Sequence, residues 1–162
     1  KEGTDSMAQK MRRRDRQSPE KQAWEMLDQC DYAVLAMTAE DGSPYCVPLN
    51  VVREGQSVYF HGAQAGRKAA CLQKEPRVCL TCVETCEIVP ERYTTRYASA
   101  VAFGRVTEVE EPEEKARALR LLCQRYTPEH LAGAEKEITQ SLRGTAVWKL
   151  TVEEITGKAN RP

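Results

Sequence analysis

Six runs of strand-forming residues, the first three separated by short turn-forming segments, constrain the fold more than any other feature. Some of the runs alternate apolar and polar side chains, as strands with one buried face do. We therefore predict a mainly β fold with peripheral helices, a six-stranded antiparallel sheet closed or half-closed into a small barrel. The pattern alone also allows an open α+β sheet. The runs cover residues 32–38, 44–52, 57–61, 77–83, 98–109 and 145–152.

Four segments carry helix signals. Ser18 is a good N-cap, and Pro19 after it suits the first position of a helix. Glu111 and Pro112 give the third segment the same kind of start, with acidic residues in the first turn. The predicted helices run from Ser18 to Asp31 and over 65–74, 112–126 and 128–144.

Length and charge exclude several classes of protein. A chain of 162 residues buries one sizeable core, so we expect residues 11–162 to form a single domain. Residues 1–10 are expected to be a flexible N-terminal segment or an expression remnant. The 24 basic residues balance 24 acidic ones, which argues against nucleic acid and acidic membranes as partners. No apolar run reaches the length of a membrane span.

The cysteines indicate a reducing compartment rather than a disulfide framework. Seven cysteines, an odd number, are scattered through a chain large enough to have its own core. We expect mostly free, buried thiols and a cytoplasmic protein. The Cys79-Leu-Thr-Cys82 segment has the spacing of a zinc knuckle, but in a strand its two thiols point to opposite faces. No metal site is predicted.

The most informative segment for function is 59–68, where a strand passes through small residues into a helix. Arg67 and Lys68 lie in the first turn of that helix, although cations are normally disfavoured there because of the helix dipole. A phosphate held by free backbone N–H groups would explain both cations, and Gly62 would let a ligand approach the backbone. The alternative is that both side chains are simply solvated.

Two further features leave alternatives open. His61, at the end of the same strand, could donate a proton or be a structural histidine. The basic residues around Arg13 and Arg16 fit a solvated arm or a subunit contact better than a nucleic-acid site, since no aromatic residues are interleaved. Pro48 cannot donate to a β-ladder, so we expect its strand at the edge of the sheet.

Taken together, these motifs resemble the pyridoxamine 5′-phosphate oxidase-like FMN-binding split barrels, and within them the NimA branch of 5-nitroimidazole resistance proteins. That fold is a six-stranded split β-barrel. The motifs are Met11-Arg12-Arg13, Gly42 to Asn50, Val58 to Lys68, Ser99 to Arg105 and Thr156 to Ala159.

The resemblance implies a homodimer with FMN at the subunit interface. By motif match, Pro48, Leu49 and Asn50 would line the flavin ring with backbone and amide groups, and Lys68, helped by Arg67, would hold the phosphate. Tyr97 and Ser99 would add polar contacts, and His61 would lie near the reactive face as the catalytic residue. Trp148 would close the pocket or belong to the core.

The implied function is an FMN-dependent oxidoreductase that reduces a small acceptor, a nitro compound or quinone, with electrons from NADH or NADPH. No Gly-x-Gly-x-x-Gly fingerprint occurs, so the reductant would dock transiently. The chain also lacks the arginine-bearing C-terminal segment that the oxidases use on pyridoxal substrates. A non-catalytic protein of the same fold, binding flavin or haem with His61 as an axial ligand, is the alternative.

Overall fold

The computed structural model describes residues 10–161, so the expectation for residues 1–9 lies outside the described part of the chain. One antiparallel sheet dominates these residues, with the strand order β3-β2-β6-β7-β8-β5-β4, and β1 pairs with β8 beside this path. The strands are β1 (Gln17–Ser18), β2 (Ala33–Thr38), β3 (Pro44–Leu49), β4 (Val52–Glu54), β5 (Ser57–Ala63), β6 (Arg77–Val89), β7 (Thr94–Glu108) and β8 (Thr145–Asn160).

The helices lie outside the sheet. None of those within 10–161 is both long and apolar enough to cross a membrane. Single 3-10 turns occur at Arg14–Arg16, Pro90–Arg92 and Pro128–His130. The α-helices are α1 (Glu20–Gln29), α2 (Arg67–Lys74), α3 (Pro112–Tyr126) and α4 (Leu131–Ser141).

The mainly β architecture with peripheral helices is confirmed, but the strand count of six is wrong because the described residues form eight strands. The run predicted over 44–52 breaks at Asn50 and Val51 into β3 and β4. The two-residue strand β1 was missed because it is held by its partner β8 and not by a pattern of its own. The sheet is open, with β3 and β4 at its two edges, as a split barrel requires.

The start of α1 also differs from the prediction. Ser18 is not the N-cap: it belongs to β1 and pairs with Gly157, and Pro19 occupies the capping position. A Cβ at Gly157 would lie 3.0 Å from that of Ala23, so glycine here lets α1 pack closely on β8. Tertiary pairing has therefore overridden a local capping signal.

Strand β5 separates two cores. Val58 and Phe60 are fully buried in the main core inside the sheet, whereas Tyr59 is buried in a second cluster under α3 and α4. The predicted alternation of these side chains is confirmed. His61 shares the face of Tyr59, so its side chain points toward α3 and α4.

Helix α3 is tied to the sheet at both ends. Near its start, Glu114 accepts hydrogen bonds of 2.8 Å from Tyr59 and from Lys149. At its end, the Tyr126 hydroxyl accepts from the backbone N–H of Val51 at 3.0 Å. The linker between β3 and β4, which carries Asn50, is thereby fixed against the helix.

Candidate functional site

The candidate site lies where the sheet is split. Within residues 10–161, strand β3 pairs only with β2, so the prediction that Pro48 lies in an edge strand is confirmed. On the other side, β4 covers β5 only from Ser57 to Tyr59. Within residues 10–161, the backbone from Phe60 to Ala63 therefore has no strand on that side. Apart from the His61 carbonyl, which accepts a hydrogen bond from Lys68, its outward-facing polar groups are available to a ligand.

The first turn of α2 connects the two sides of the split. The Arg67 guanidinium stacks over the Tyr45 ring of β3, 4.4 Å from its centroid. The Lys68 ammonium donates to the His61 carbonyl of β5 at 3.3 Å. Gly66, at the N-cap, has φ +115°, a backbone conformation that only glycine adopts readily. The sequence thus places both cations together. We call this position, formed by Gly62, Gly66, Arg67 and Lys68, the α2 corner or, for the ligand it would hold, the phosphate corner.

The geometry of Lys68 fits an anion. A Cβ on Gly62 would lie 2.5 Å from the Lys68 Nζ, so the missing side chain makes the space in which the ammonium sits. Within residues 10–161, no carboxylate forms an ion pair with Arg67 or Lys68. Burial lowers the pKa of Lys68. The Phe60 ring, 5.8 Å from the ammonium, offers a cation–π contact, but no carboxylate among the described residues pairs with it. A phosphate at this corner would supply the missing negative charge.

On the opposite face of β5, His61 opens onto a cavity of about 650 Å³ between the sheet and helices α3 and α4. The imidazole is exposed and makes no hydrogen bond to the described residues, so both ring nitrogens are free to meet a ligand. Asn50, held in place through Val51, lines the same cavity. A volume of this size is typical of small-molecule sites.

The helical wall of the cavity is mostly apolar. Leu119 and Leu122 are buried in it, and Cys123 is half-buried. Among the described residues that line the cavity, Glu137 is the one with a carboxylate, and no lysine or arginine does so. The sequence did not single out Glu137 or Cys123, because only tertiary packing brings this helix pair against β5. Tyr45, the partner of Arg67, was also not assigned a role, although it lies within the 42–50 motif.

The structure does not bring every predicted site residue together. Ser99 pairs with Lys158 of β8, whereas His61 pairs with Val147, eleven residues earlier. At about 3.3 Å per residue, roughly 35 Å of strand separates the two positions. Tyr97 lies still further toward the C-terminal end of β8. Within one chain, Tyr97 and Ser99 are therefore at the other end of β8 from His61.

Two other residues predicted to contact the cofactor face the core. Trp148 is 2% exposed and packs in the main cluster, on the face of β8 opposite the cavity. This placement favours the core role that the sequence left open. Leu49 also packs against the main cluster and leaves its backbone, rather than its side chain, toward the split.

The cysteines have no common role in the structure. Cys79 and Cys82 point to opposite faces of β6, as expected, and Cys82 is buried while Cys79 is half-buried. Within residues 10–161, no group of three potential metal ligands lies together. All seven cysteines are free as predicted, but only Cys30, Cys71 and Cys82 are buried, so the expectation of mostly buried thiols is wrong.

The basic N-terminal segment is partly neutralised within itself. Arg13 pairs with Asp15 at 2.5 Å, and Arg16 donates to the Tyr97 hydroxyl at 3.4 Å. Although burial acts in the opposite direction, hydrogen bonds from Arg16 and Lys158 lower the pKa of Tyr97. A role in subunit contact stays a prediction.

The sequence of this chain matches one protein-family model over most of its length. Residues 19–159 match the model of the pyridoxamine 5′-phosphate oxidase family. The chain belongs to this family. The match spans the split, the α2 corner and the cavity, and thus identifies the fold as the split barrel that the sequence motifs indicated. No curated protein sequence matched the chain.

Several solved structures have a fold similar to that of this chain. The chain is 29% identical to a candidate 5-nitroimidazole antibiotic resistance protein from Bacteroides thetaiotaomicron, with a TM-score of 0.77 over 87% of this chain and 84% of the other. At 20% identity it shares the fold of an FAD and heme binding protein from Mycobacterium smegmatis, with a TM-score of 0.78 over 91% and 74%. At 23% identity it shares the fold of the flavocytochrome Anf3 from Azotobacter vinelandii, with a TM-score of 0.73 over 89% and 68%.

Proposed function

We propose that this family member binds a flavin, FMN, at the split in the sheet and uses it to pass electrons from NADH or NADPH to a small acceptor such as a nitro compound or quinone. One observation carries the proposal: Arg67 and Lys68, neither of which forms an ion pair within residues 10–161, meet at the first turn of α2 against the space left by Gly62. A flavin supplies hydride acceptance and donation when bound. The protein supplies binding, orientation and a proton.

The residues present fit the phosphate and the ring of FMN. Arg67 offers a planar fork to phosphate oxygens and Lys68 a point charge. The free edges at Pro48 and at 60–63 offer backbone groups to the polar rim of the ring. His61, with both ring nitrogens free, is placed to hold or deliver a proton at the acceptor. Helices α3 and α4 form one wall of the cavity, which is open to solvent at His61 and Glu137.

A homodimer is part of the proposal, and the outer face of the sheet supports it. Pro48, Val34, Thr81 and Val101 form one row across β3, β2, β6 and β7 on the face opposite the core. These residues are half-exposed or exposed, and Val83 on the same face is 55% exposed. An apolar face of this kind fits a second copy of the chain.

Such a dimer would also explain the separation of the predicted contacts. Tyr97 and Ser99 lie on the same outer face as Pro48, but several strands away from it. A twofold axis through this face would bring Tyr97 and Ser99 of one copy toward the split of the other. The two ends of β8 would then contribute to one cofactor site.

The first experiment is an absorption spectrum of the purified protein, followed by anaerobic addition of NADH or NADPH. The proposal expects a flavin spectrum that bleaches on addition of the reductant and recovers on addition of a nitro compound or quinone. A colourless protein that does not take up added FMN would contradict flavin binding. A flavin band that never bleaches with either nucleotide would contradict the reductase role alone.

Haem binding is the second candidate, because the exposed His61 imidazole has no partner among the described residues. The M. smegmatis and A. vinelandii proteins named above share the fold, and each is described as binding haem or as a flavocytochrome. A Soret band that is lost in His61→Ala would favour this function. The same substitution should leave flavin bound but lower turnover if His61 delivers a proton.

The cytoplasmic location expected from the sequence stays a prediction.

A further inference from the structure

We propose that the cavity between His61 and helices α3 and α4 is the acceptor site, and that Glu137 makes it select neutral or cationic flat molecules over anionic ones. The inference rests on the proposed function only in naming the occupant as the electron acceptor. The selection itself follows from the walls of the cavity.

The cavity and the phosphate corner lie on opposite faces of β5 and share Gly62. Successive side chains of β5 alternate between faces, so His61 points toward α3 and α4 while Gly62 faces the Lys68 ammonium. Neither Arg67 nor Lys68 lines the cavity. A cofactor anchored at the corner and a molecule in the cavity would therefore meet at the edge of β5, beside His61.

The volume and the lining residues of the cavity indicate which class of ligand it can bind. The volume of about 650 Å³ accommodates one aromatic or quinonoid ring system with small substituents. Leu119, Leu122 and Ile138 offer apolar contacts, and Ser141 offers a hydroxyl. These groups favour a flat, mostly apolar molecule with few polar atoms.

The charge of Glu137 further restricts the class of ligand that the cavity can bind. Glu137 is exposed at the cavity, and no salt bridge within residues 10–161 neutralises it. The nearby Glu135, by contrast, pairs with Arg120 on the outside of the helix pair. A carboxylate-bearing molecule in the cavity would meet the Glu137 charge without a compensating cation, whereas an ammonium would be attracted. In a partly exposed setting the difference amounts to a few-fold in affinity.

The test uses three probes of similar size: nitrobenzene, 4-nitrobenzoate and 4-nitrobenzylammonium. Calorimetric titration of the FMN-free protein, and of the protein with oxidised FMN bound, measures their affinities without turnover. The expected order is cation, neutral, anion, with roughly fivefold between the cation and the anion. Glu137→Gln should remove the order, and Glu137→Lys should reverse it. Glu91→Lys, at an exposed position on the far hairpin, is the matched control and should leave the order unchanged.

Cys123 gives an independent readout of location because its half-buried thiol lines the cavity. Nitrobenzene should slow labelling of Cys123 by a methanethiosulfonate reagent, read by peptide mass spectrometry, and should leave the exposed Cys46 unprotected. Equal labelling of Cys123 with and without the probe would overturn the site. An affinity order that survives Glu137→Lys would overturn the selectivity. If FMN does not bind but the order and the protection are observed, the proposed function fails and the cavity assignment stands.

Discussion

At the scale of single residues, the site depends on a glycine as much as on its charged side chains. The Lys68 ammonium fills the space left at Gly62. Burial disfavours its charged form and so lowers the pKa of Lys68. Arg67 is positioned by its stacking on Tyr45, a neighbour that does not neutralise it. These features give the corner a positive charge that is in place before any ligand arrives.

The first prediction concerns Gly62→Ala. The new methyl group would lie 2.5 Å from the Lys68 Nζ, so this flexible side chain must move away, while the strand itself tolerates alanine. We expect FMN affinity to fall roughly tenfold, which corresponds to about 1.4 kcal/mol, with little change in the melting temperature. Fluorescence titration and thermal unfolding measure the two effects.

The control for this substitution is Gly133→Ala in α4, where a Cβ meets nothing within 4 Å. Alanine is also the better helix former, so stability should rise slightly and FMN affinity should not change. If Gly62→Ala retained wild-type affinity, the Lys68 ammonium would not be a phosphate ligand.

At the scale of elements, α3 is held to the sheet by the Glu114 carboxylate between Tyr59 and Lys149. Hydrogen bonds from Lys149 and then from Tyr59 lower the pKa of Glu114. Because the folded pKa lies below the unfolded one, the contribution of Glu114 to stability is complete above its ordinary pKa and is lost as the pH falls through the lowered value. Helix α3 in turn forms one wall of the cavity.

We therefore predict that Glu114→Gln lowers the free energy of unfolding at pH 7 by about 1 kcal/mol, as for other partly buried charge-assisted hydrogen bonds. The difference from wild type should shrink as the pH falls below the ordinary range of a glutamate. Urea unfolding at pH 7 and pH 3 checks this. Glu110→Gln, at an exposed position, should show no such pH dependence, and a loss equal at both pH values would exclude the ion pair as its cause.

The elements also show what sequence can predict. The alternation in β5, the edge position of Pro48 and the start of α2 at two cations are local patterns, and the structure has all three. Strand β1 and the β3–β4 break could not be predicted, because they are set by pairing with β8 and by the contact of Val51 with α3. For the same reason the helical wall with Glu137 was missed, since nothing in the local sequence indicates which strand an amphipathic helix will cover.

At the scale of the whole molecule, the proposed cofactor site needs a second copy of the chain. Tyr97 and Ser99 lie at the end of β8 opposite His61, and the apolar outer face between β3 and β7 is partly exposed. We predict a solution mass of twice 18.3 kDa by light scattering. Val101→Arg should place a charge in that face, shift the mass toward 18.3 kDa and weaken FMN binding together with it.

Gln140→Arg, an exposed position in α4, adds the same charge elsewhere and should remain dimeric. A wild-type monomer with full FMN affinity would refute the shared site. A dimer that persists in Val101→Arg with FMN bound would place the interface on another face of the molecule.

Binding of riboflavin, which lacks the phosphate of FMN, tests whether Arg67 and Lys68 hold that phosphate. The wild-type protein should bind FMN at least 100-fold more tightly than riboflavin, since two charge-assisted contacts each contribute roughly 1.5–3 kcal/mol. The double variant Arg67→Ala/Lys68→Ala should lose this preference and keep its riboflavin affinity. Arg92→Ala/Lys136→Ala, which removes two exposed charges elsewhere, should keep the preference. An undiminished preference for FMN in the Arg67/Lys68 variant would contradict the account.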